Sequence, residues 1–203
     1  DIKRCDKKIN TKKLENKTVF LSSVTDCYNE FEEKYKITRE ILKELLNVNC
    51  NLNISTKSKL ILRDLDLLKQ MKNLMVSMSI NTLEENFKED MDNASSIKER
   101  LNTLKTLHEN GIYTVLFMSP IFPYITNFKD IIEISKEYID EYWFENLNLR
   151  GEYKTKILLY IQEKYPKLIN EYNDIYIKGN KKYWNDLSKE IKDYCEINNV
   201  KYI

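Results

Sequence analysis

Histidine, glycine and proline are nearly missing from this chain. Its 203 residues hold one His, three Gly and three Pro. A single imidazole excludes any site built on a pair of histidines. Gly111, Gly151 and Gly179 stand too far apart for a glycine-rich phosphate cradle or a dinucleotide fingerprint. An excess of one charge sign is missing too: 33 Lys+Arg against 32 Asp+Glu leave +1, so a nucleic-acid footprint would have to be a local patch. No apolar run approaches the ~18 residues of a membrane span. The four cysteines, at 5, 27, 50 and 195, form no C-x-x-C, which excludes zinc-ribbon and thioredoxin-type motifs. Their spacing suits reduced thiols in a cytoplasmic protein. The chain opens at Asp1 with neither an initiator Met nor a secretory segment, and the expectation is part of a longer product.

What is present is an ordinary globular composition, 42% hydrophobic and 32% charged. Short apolar runs alternate with longer amphipathic ones. Residues 18–22, 51–55, 74–80, 113–118 and 142–147 read as strands, several of them continuously apolar, as strands covered on both faces are. Between them Thr38, Ser58 and Ser96 stand as helix caps. Ser96 and Glu99 form a capping-box pattern, Gly111 closes that helix, and 128–139 reads as a further helix. Strand–helix–strand repeats imply parallel right-handed crossovers, hence a doubly wound sheet or a barrel. After Gly151 the pattern becomes helical, over 153–164, 167–177 and 181–197, and VKYI at the end has the composition of a last short strand. The reading is one α/β body, 1–151, with a helical C-terminal extension, 152–203.

In such sheets ligands sit at the carboxyl ends of the strands. All five ends are polar here: Ser22 to Asp26, Ser55 to Ser58, Ser77 and Ser79 with Asn81 and Thr82, Ser119 with Pro120, and Asn146, Asn148 and Arg150. Lys57 and Arg100 suit a carboxylate or phosphate; the hydroxyls and amides suit an amine, ribose hydroxyls or an adenine edge. No metal triad and no Ser nucleophile with a partner is visible. The set is fitted to hold a polar, nucleoside-like ligand.

The runs TVFLSSVTD, YKITREILKELL, STKSKLILRDLDLL, VSMSINTLEENFKEDMDNASSIKERLNTLKTLHENGI and SPIFPYITN, in that order, resemble radical S-adenosylmethionine proteins of the spore photoproduct lyase-like, DNA repair photolyase-like branch. The likeness covers roughly residues 2–151. It implies a partial (β/α)6 TIM-type barrel that holds S-adenosylmethionine on a [4Fe–4S] cluster. It further implies hydrogen abstraction by a 5′-deoxyadenosyl radical and an electron donor such as flavodoxin or ferredoxin. Carried over residue by residue, Ser23 and Thr25 would meet the methionine amino group. Lys57 would meet the carboxylate, with Arg100 a second candidate, and Ser79 and Asn81 would meet the ribose. The backbone of 118–120 and the Asn148 side chain would lie near adenine.

The sequence departs from the family in two places. The C-x3-C-x2-C that binds the cluster is absent, and it is expected upstream of Asp1 together with the first strand. The 203 residues alone are therefore expected to bind no cluster and to be inactive. Photoproduct lyases also place a Cys three residues before the Asp of C-T-S-D, where this chain has Ser23, with Cys27 on the other side of Asp26. Photoproduct reversal is thus not the expected reaction, and the substrate, whether small molecule or nucleic acid, stays open. Two other readings stand beside the radical enzyme: a cluster-less nucleoside-binding or interaction module, and another α/β enzyme binding a phosphorylated ligand at Lys57 and Arg100. Cys5 and Cys27 read as free thiols, Cys50 and Cys195 as core, and His108 as a cation in the last turn of its helix. Arg63 and Asp64 read either as the family's helix pattern or as a surface ion pair. Lys and Tyr interleaved over 154–182 would suit base stacking, but a chain rich in Lys, Asn, Ile and Tyr shows such interleaving without it.

Overall fold

A computed structural model describes residues 9–22 and 24–203. Ser23 and Cys5 lie outside the described residues. The apolar runs form β1 (Thr18–Leu21), β2 (Asn51–Thr56), β3 (Leu74–Ser79), β4 (Tyr113–Ile121) and β5 (Glu141–Asn146), within one to three residues of the expected bounds. They make one sheet in the order β1-β2-β3-β4-β5, and every pairing is parallel. The order never reverses, so there is no switch point of a doubly wound sheet. Right-handed crossovers then lay the connecting helices on one face, the arrangement of a barrel wall.

Side chains alternate between the two faces. Leu52 and Ile54, Val76 and Met78, Leu116 and Met118, and Tyr142 point toward the helices and form the main core. Packed on them are α2 (Ile37–Leu45), α5 (Ile97–Glu109) and α9 (Lys182–Ile197), through Leu42, Leu104, Leu107, Leu187 and Ile191. Truncating a wholly buried Leu such as Leu104 or Leu107 to Ala would cost about 2–5 kcal/mol. The opposite face carries rows set by the register. Phe20, Asn53, Met75 and Tyr113 form one row and Ser55, Ser77, Val115 and Glu141 the next; Ser79, Phe117 and Trp143 lie nearest the carboxyl ends.

Local signals account for the crossovers, with three corrections. α5 opens on the expected capping box: Glu99 N–H donates to Ser96 Oγ at 3.2 Å, and Ser96 N–H to Glu99 Oε2 at 3.0 Å. It closes at Gly111, whose φ of 77° only glycine adopts without strain. The first correction concerns Thr38, which lies inside α2 and not at its cap. Its hydroxyl donates to the Cys27 carbonyl at 2.6 Å, while the Glu32 carboxylate, in α1 (Glu32–Tyr35), accepts from Thr38 N–H and Arg39 N–H. Second, Ser58 caps a tighter 3-10 turn, Lys59–Asp64, before the short α3 (Leu65–Leu68). Third, α6 (Phe128–Ser135) stops four residues before the expected 139, because Asp140 N–H is taken by the Thr114 carbonyl at the entry to β5.

The C-terminal helices build a second, smaller core at the carboxyl end of the sheet. Phe87 of α4 (Glu85–Met91), Phe122 after β4 and Leu147 after β5 meet Ile157 and Ile161 of α7 (Gly151–Lys164) and Tyr172 of α8 (Ile169–Tyr176). The Phe87 and Phe122 rings stand edge to face at 4.9 Å. The chain end then runs beside β5: Tyr142 and Tyr202 form a parallel bridge, the short strand that VKYI suggested. No helix among the described residues is long and apolar enough to cross a membrane.

Candidate functional site

At the carboxyl ends of β2, β3 and β4 the walls open into a cleft of about 330 Å³, within the ordinary range for small-molecule sites. Lys57, Ser79, Asn81 and Arg100 all line it, Lys57 from the β2–β3 crossover and the others from the end of β3 and the crossover that follows it. Each is held by its neighbours. Asp26 fixes the exit of β2: its carboxylate accepts from Lys57 N–H at 2.8 Å and from Thr56 Oγ1 at 2.8 Å. Asn81 Nδ2 donates to the Pro120 carbonyl at 2.8 Å, tying the ends of β3 and β4 together and leaving its Oδ1 for a ligand. Arg100 is buried, and its guanidinium donates to the Ser79 carbonyl at 3.0 Å and the Ser95 carbonyl at 2.8 Å.

Several residues of the cleft were not foreseen. Asp92 meets Arg100 in a very short contact, and Lys57 Nζ lies 3.3 Å from its other oxygen. Burial opposes its ionisation, yet the Arg100 hydrogen bond and the charges of Arg100 and Lys57 outweigh it and hold the Asp92 carboxyl below its usual range. Ser119, at a strand end that the sequence marked as polar, lines the cleft too, and Lys88, Tyr153, Lys156 and Tyr160 complete the walls. The last three come from α7, anchored by the second core, and Tyr160 donates its hydroxyl to Asp90 at 2.9 Å. Spacing of 3 and 4 along α7 (Tyr153, Lys156, Tyr160) was the available signal for a shared face. For Asp92 there was none, since EDMDN reads as a solvated helix end.

Two expected site residues stand elsewhere. Thr25 is exposed on the loop after β1 and does not line the cleft. Asn148 is exposed as well: Leu147 and Leu149 on either side are buried in the second core, which turns the residue between them outward, where it accepts from Arg150 Nε at 3.2 Å. Arg100 also differs from the expectation of a free cation, because Asp92 and two backbone carbonyls already engage it.

The thiols are scattered. Cys27 follows β1, Cys50 precedes β2 at the other end of the sheet, and Cys195 is buried on α9; all three are free. Burial pushes the Cys27 thiol up to about 11, against the opposing Ser22 hydrogen bond, so it is a poor thiolate. His108 sits in the last turn of α5, 3.4 Å from Asp140. Arg63 and Asp64 are no surface pair: Asp64 is wholly buried in a network with Arg39, Arg63 and Tyr28.

Relatives are consistent with this architecture. A protein of Methanocaldococcus jannaschii named uncharacterized protein MJ0683 is 39% identical over 150 residues, covering 73% of this chain and 57% of its own length. Uncharacterized protein ORF301 of Acidianus two-tailed virus is 32% identical over 199 residues, 88% of this chain and 65% of the viral protein. The chain thus spans little more than half to two thirds of these relatives. Among solved structures, Streptococcus suis SuiB bound to S-adenosylmethionine superposes with a TM-score of 0.57 at 17% identity, over 84% of this chain and 36% of SuiB. A spore photoproduct lyase variant with bound AdoMet and dinucleoside spore photoproduct also gives 0.57, at 15% identity, over 75% of this chain and 46% of the lyase. At these identities the likeness is one of fold. The Radical SAM superfamily model matches residues 6–138, well over half of the sequence, and the chain belongs to that superfamily.

Proposed function

We propose that the cleft binds S-adenosylmethionine and that the chain is the adenosyl-binding part of a radical enzyme. The observation that carries this reading is the gathering of Lys57, Ser79, Asn81 and Arg100 on one cleft at the strand carboxyl ends. Their chemistry fits the ligand. Lys57, 39% exposed at its side chain, offers an ammonium to a carboxylate. Ser79 and the free Oδ1 of Asn81 suit ribose hydroxyls. Tyr153 and Tyr160 supply aromatic surface beside a purine. Arg100 acts one step back, fixing the Ser79 carbonyl and hence the direction of the strand end. When reduced by one electron, S-adenosylmethionine supplies hydrogen-atom abstraction, and an electron donor such as flavodoxin or ferredoxin belongs to the reading. Substrate identity is a matter of the loops and appended elements around this fold.

The described residues do not fit an iron–sulfur cluster. No group of three or more metal-ligating side chains occurs among them, and Cys27, Cys50 and Cys195 stand on different elements. Their contribution is to bind and orient the nucleoside. Calorimetric titration with S-adenosylmethionine tests this without any turnover. Binding is expected in the wild-type chain, and Lys57→Ala should weaken it by about 1.5–3 kcal/mol through loss of a charge-assisted contact. A wild-type chain that binds neither S-adenosylmethionine nor adenosine would overturn the reading.

A further inference from the structure

The cationic end of the cleft is already occupied by a carboxylate of the protein itself. Asp92 follows α4 in an extended conformation and cannot swing freely: its Oδ1 accepts from Ala94 N–H at 3.1 Å and meets Arg100 Nη2. Lys88 is equally fixed, 3.7 Å from the same oxygen and donating to the Ala94 carbonyl at 2.5 Å. Arg100 and Lys88 are buried and bonded to this loop and to the Ser79 carbonyl, so neither is free to follow a ligand. Lys57 is different. It is the most exposed of the three cations, and its ammonium meets the other oxygen, Asp92 Oδ2, at 3.3 Å. Among the described residues that line the cleft, Lys57, Lys88, Arg100 and Lys156 stand against two carboxylates, Asp90 and Asp92. That leaves a positive excess in which a second carboxylate is electrostatically welcome.

We infer that Asp92 is a positioning residue. It stands in for the ligand carboxylate in the free protein, holds Lys57 over the cleft, and yields Lys57 when a carboxylate-bearing adenosyl ligand arrives. The inference rests on the S-adenosylmethionine reading of the cleft. Asp92 keeps Arg100 throughout, because the Ala94 bond and the Arg100 contact share one oxygen and the Lys57 contact uses the other. Its effect is on selectivity. A ligand with a carboxylate competes with Asp92 for Lys57, while one without a carboxylate leaves that pair undisturbed.

The test compares two thioethers, S-adenosylhomocysteine and 5′-methylthioadenosine, which share the nucleoside and differ in the amino-acid group. Calorimetry on the full chain at low salt, with wild type, Asp92→Asn, Asp92→Glu, Lys57→Ala and the Lys57→Ala/Asp92→Asn double variant, gives the affinities, and thermal melting shows which variants fold. D92N is expected to tighten S-adenosylhomocysteine about three- to fivefold, the size of a partly exposed ion pair, and to leave 5′-methylthioadenosine unchanged. D92E should behave as wild type, and the double variant should match Lys57→Ala alone. If D92N does not fold, Asp92→Ser, which keeps an acceptor for Ala94, is expected to show the same discrimination. Equal changes for both thioethers, or weaker S-adenosylhomocysteine binding, would overturn the positioning role while leaving the nucleoside site intact. A wild-type chain that binds neither thioether overturns both.

Discussion

Asp64 and Asp92 are alike in chemistry and opposite in situation. Each is a carboxylate that burial would neutralise and that neighbouring cations keep ionised. Asp64 is sealed: Arg39 reaches it at 2.8 Å, Arg63 at 2.7 and 2.9 Å, and the Tyr28 hydroxyl at 3.1 Å, with Glu32 holding Arg63 from behind at 2.8 Å. Asp92 is one-fifth exposed, and one of its cations, Lys57, is held loosely enough to be 39% exposed in the cleft. A closed network welds α1, α2 and the turn after β2 together. An open one has a charge left to offer.

The most severe way to break this contrast is Asp64→Ala. It leaves two guanidinium groups facing a buried void, and the expected loss is about 3 kcal/mol or more in urea unfolding. Nucleoside affinity should be unchanged in whatever fraction remains folded. Lys57→Ala is the mirror image. It is expected to lower S-adenosylmethionine affinity by the 1.5–3 kcal/mol given above, while unfolding stability moves by no more than about 0.5 kcal/mol.

Acid separates the two carboxylates further. Both have folded-state values below their ordinary 3.8, so each adds stability that is full above that value and is lost as pH falls below it. Denaturation midpoints measured from pH 6 downward should therefore drop below about pH 4. Asp64→Asn is expected to flatten that acid limb more than Asp92→Asn, because four donors against one fully buried carboxylate make the larger difference between folded and unfolded chains. The smallest effect is that of Ser96→Ala, which removes the cap of α5 at a cost of about 1 kcal/mol. Since α5 carries Arg100, the loss should also appear as slightly weaker nucleoside binding, with the Asp64 network unaffected.

The fold was legible because several of its strands hold continuous apolar runs, such as VLFM in β4, and because serines and a glycine punctuate α5. Where local signals were ambiguous, tertiary bonds decided. Glu32, six residues upstream, took the capping role that Thr38 suggested, and the Thr114 carbonyl ended α6 early. The site divides in the same manner. Lys57, Ser79 and Asn81 sit at or just past strand ends, which sequence locates well. Asp92 acquires its role from Lys88 and Arg100 on the two helices that flank it and from Lys57 of the preceding crossover, and no spacing in EDMDN announces these contacts. Asn148, placed near adenine by the family resemblance alone, stands outward because Leu147 and Leu149 on either side belong to the second core, a tertiary contact that the resemblance does not carry.

The chain terminus beside β5 bears on solubility. Tyr142 N–H and Phe144 N–H donate to the carbonyls of Lys201 and Ile203, and Ile203 N–H returns a bond to Tyr142. These three bonds occupy the outer edge of the last strand, the row of donors and acceptors on which a sheet from another molecule would otherwise grow. Residues 201–203 thus act as a guard against edge-to-edge association, and a change that pulls Tyr202 away from Tyr142 would unmask a template for aggregation without touching the cleft.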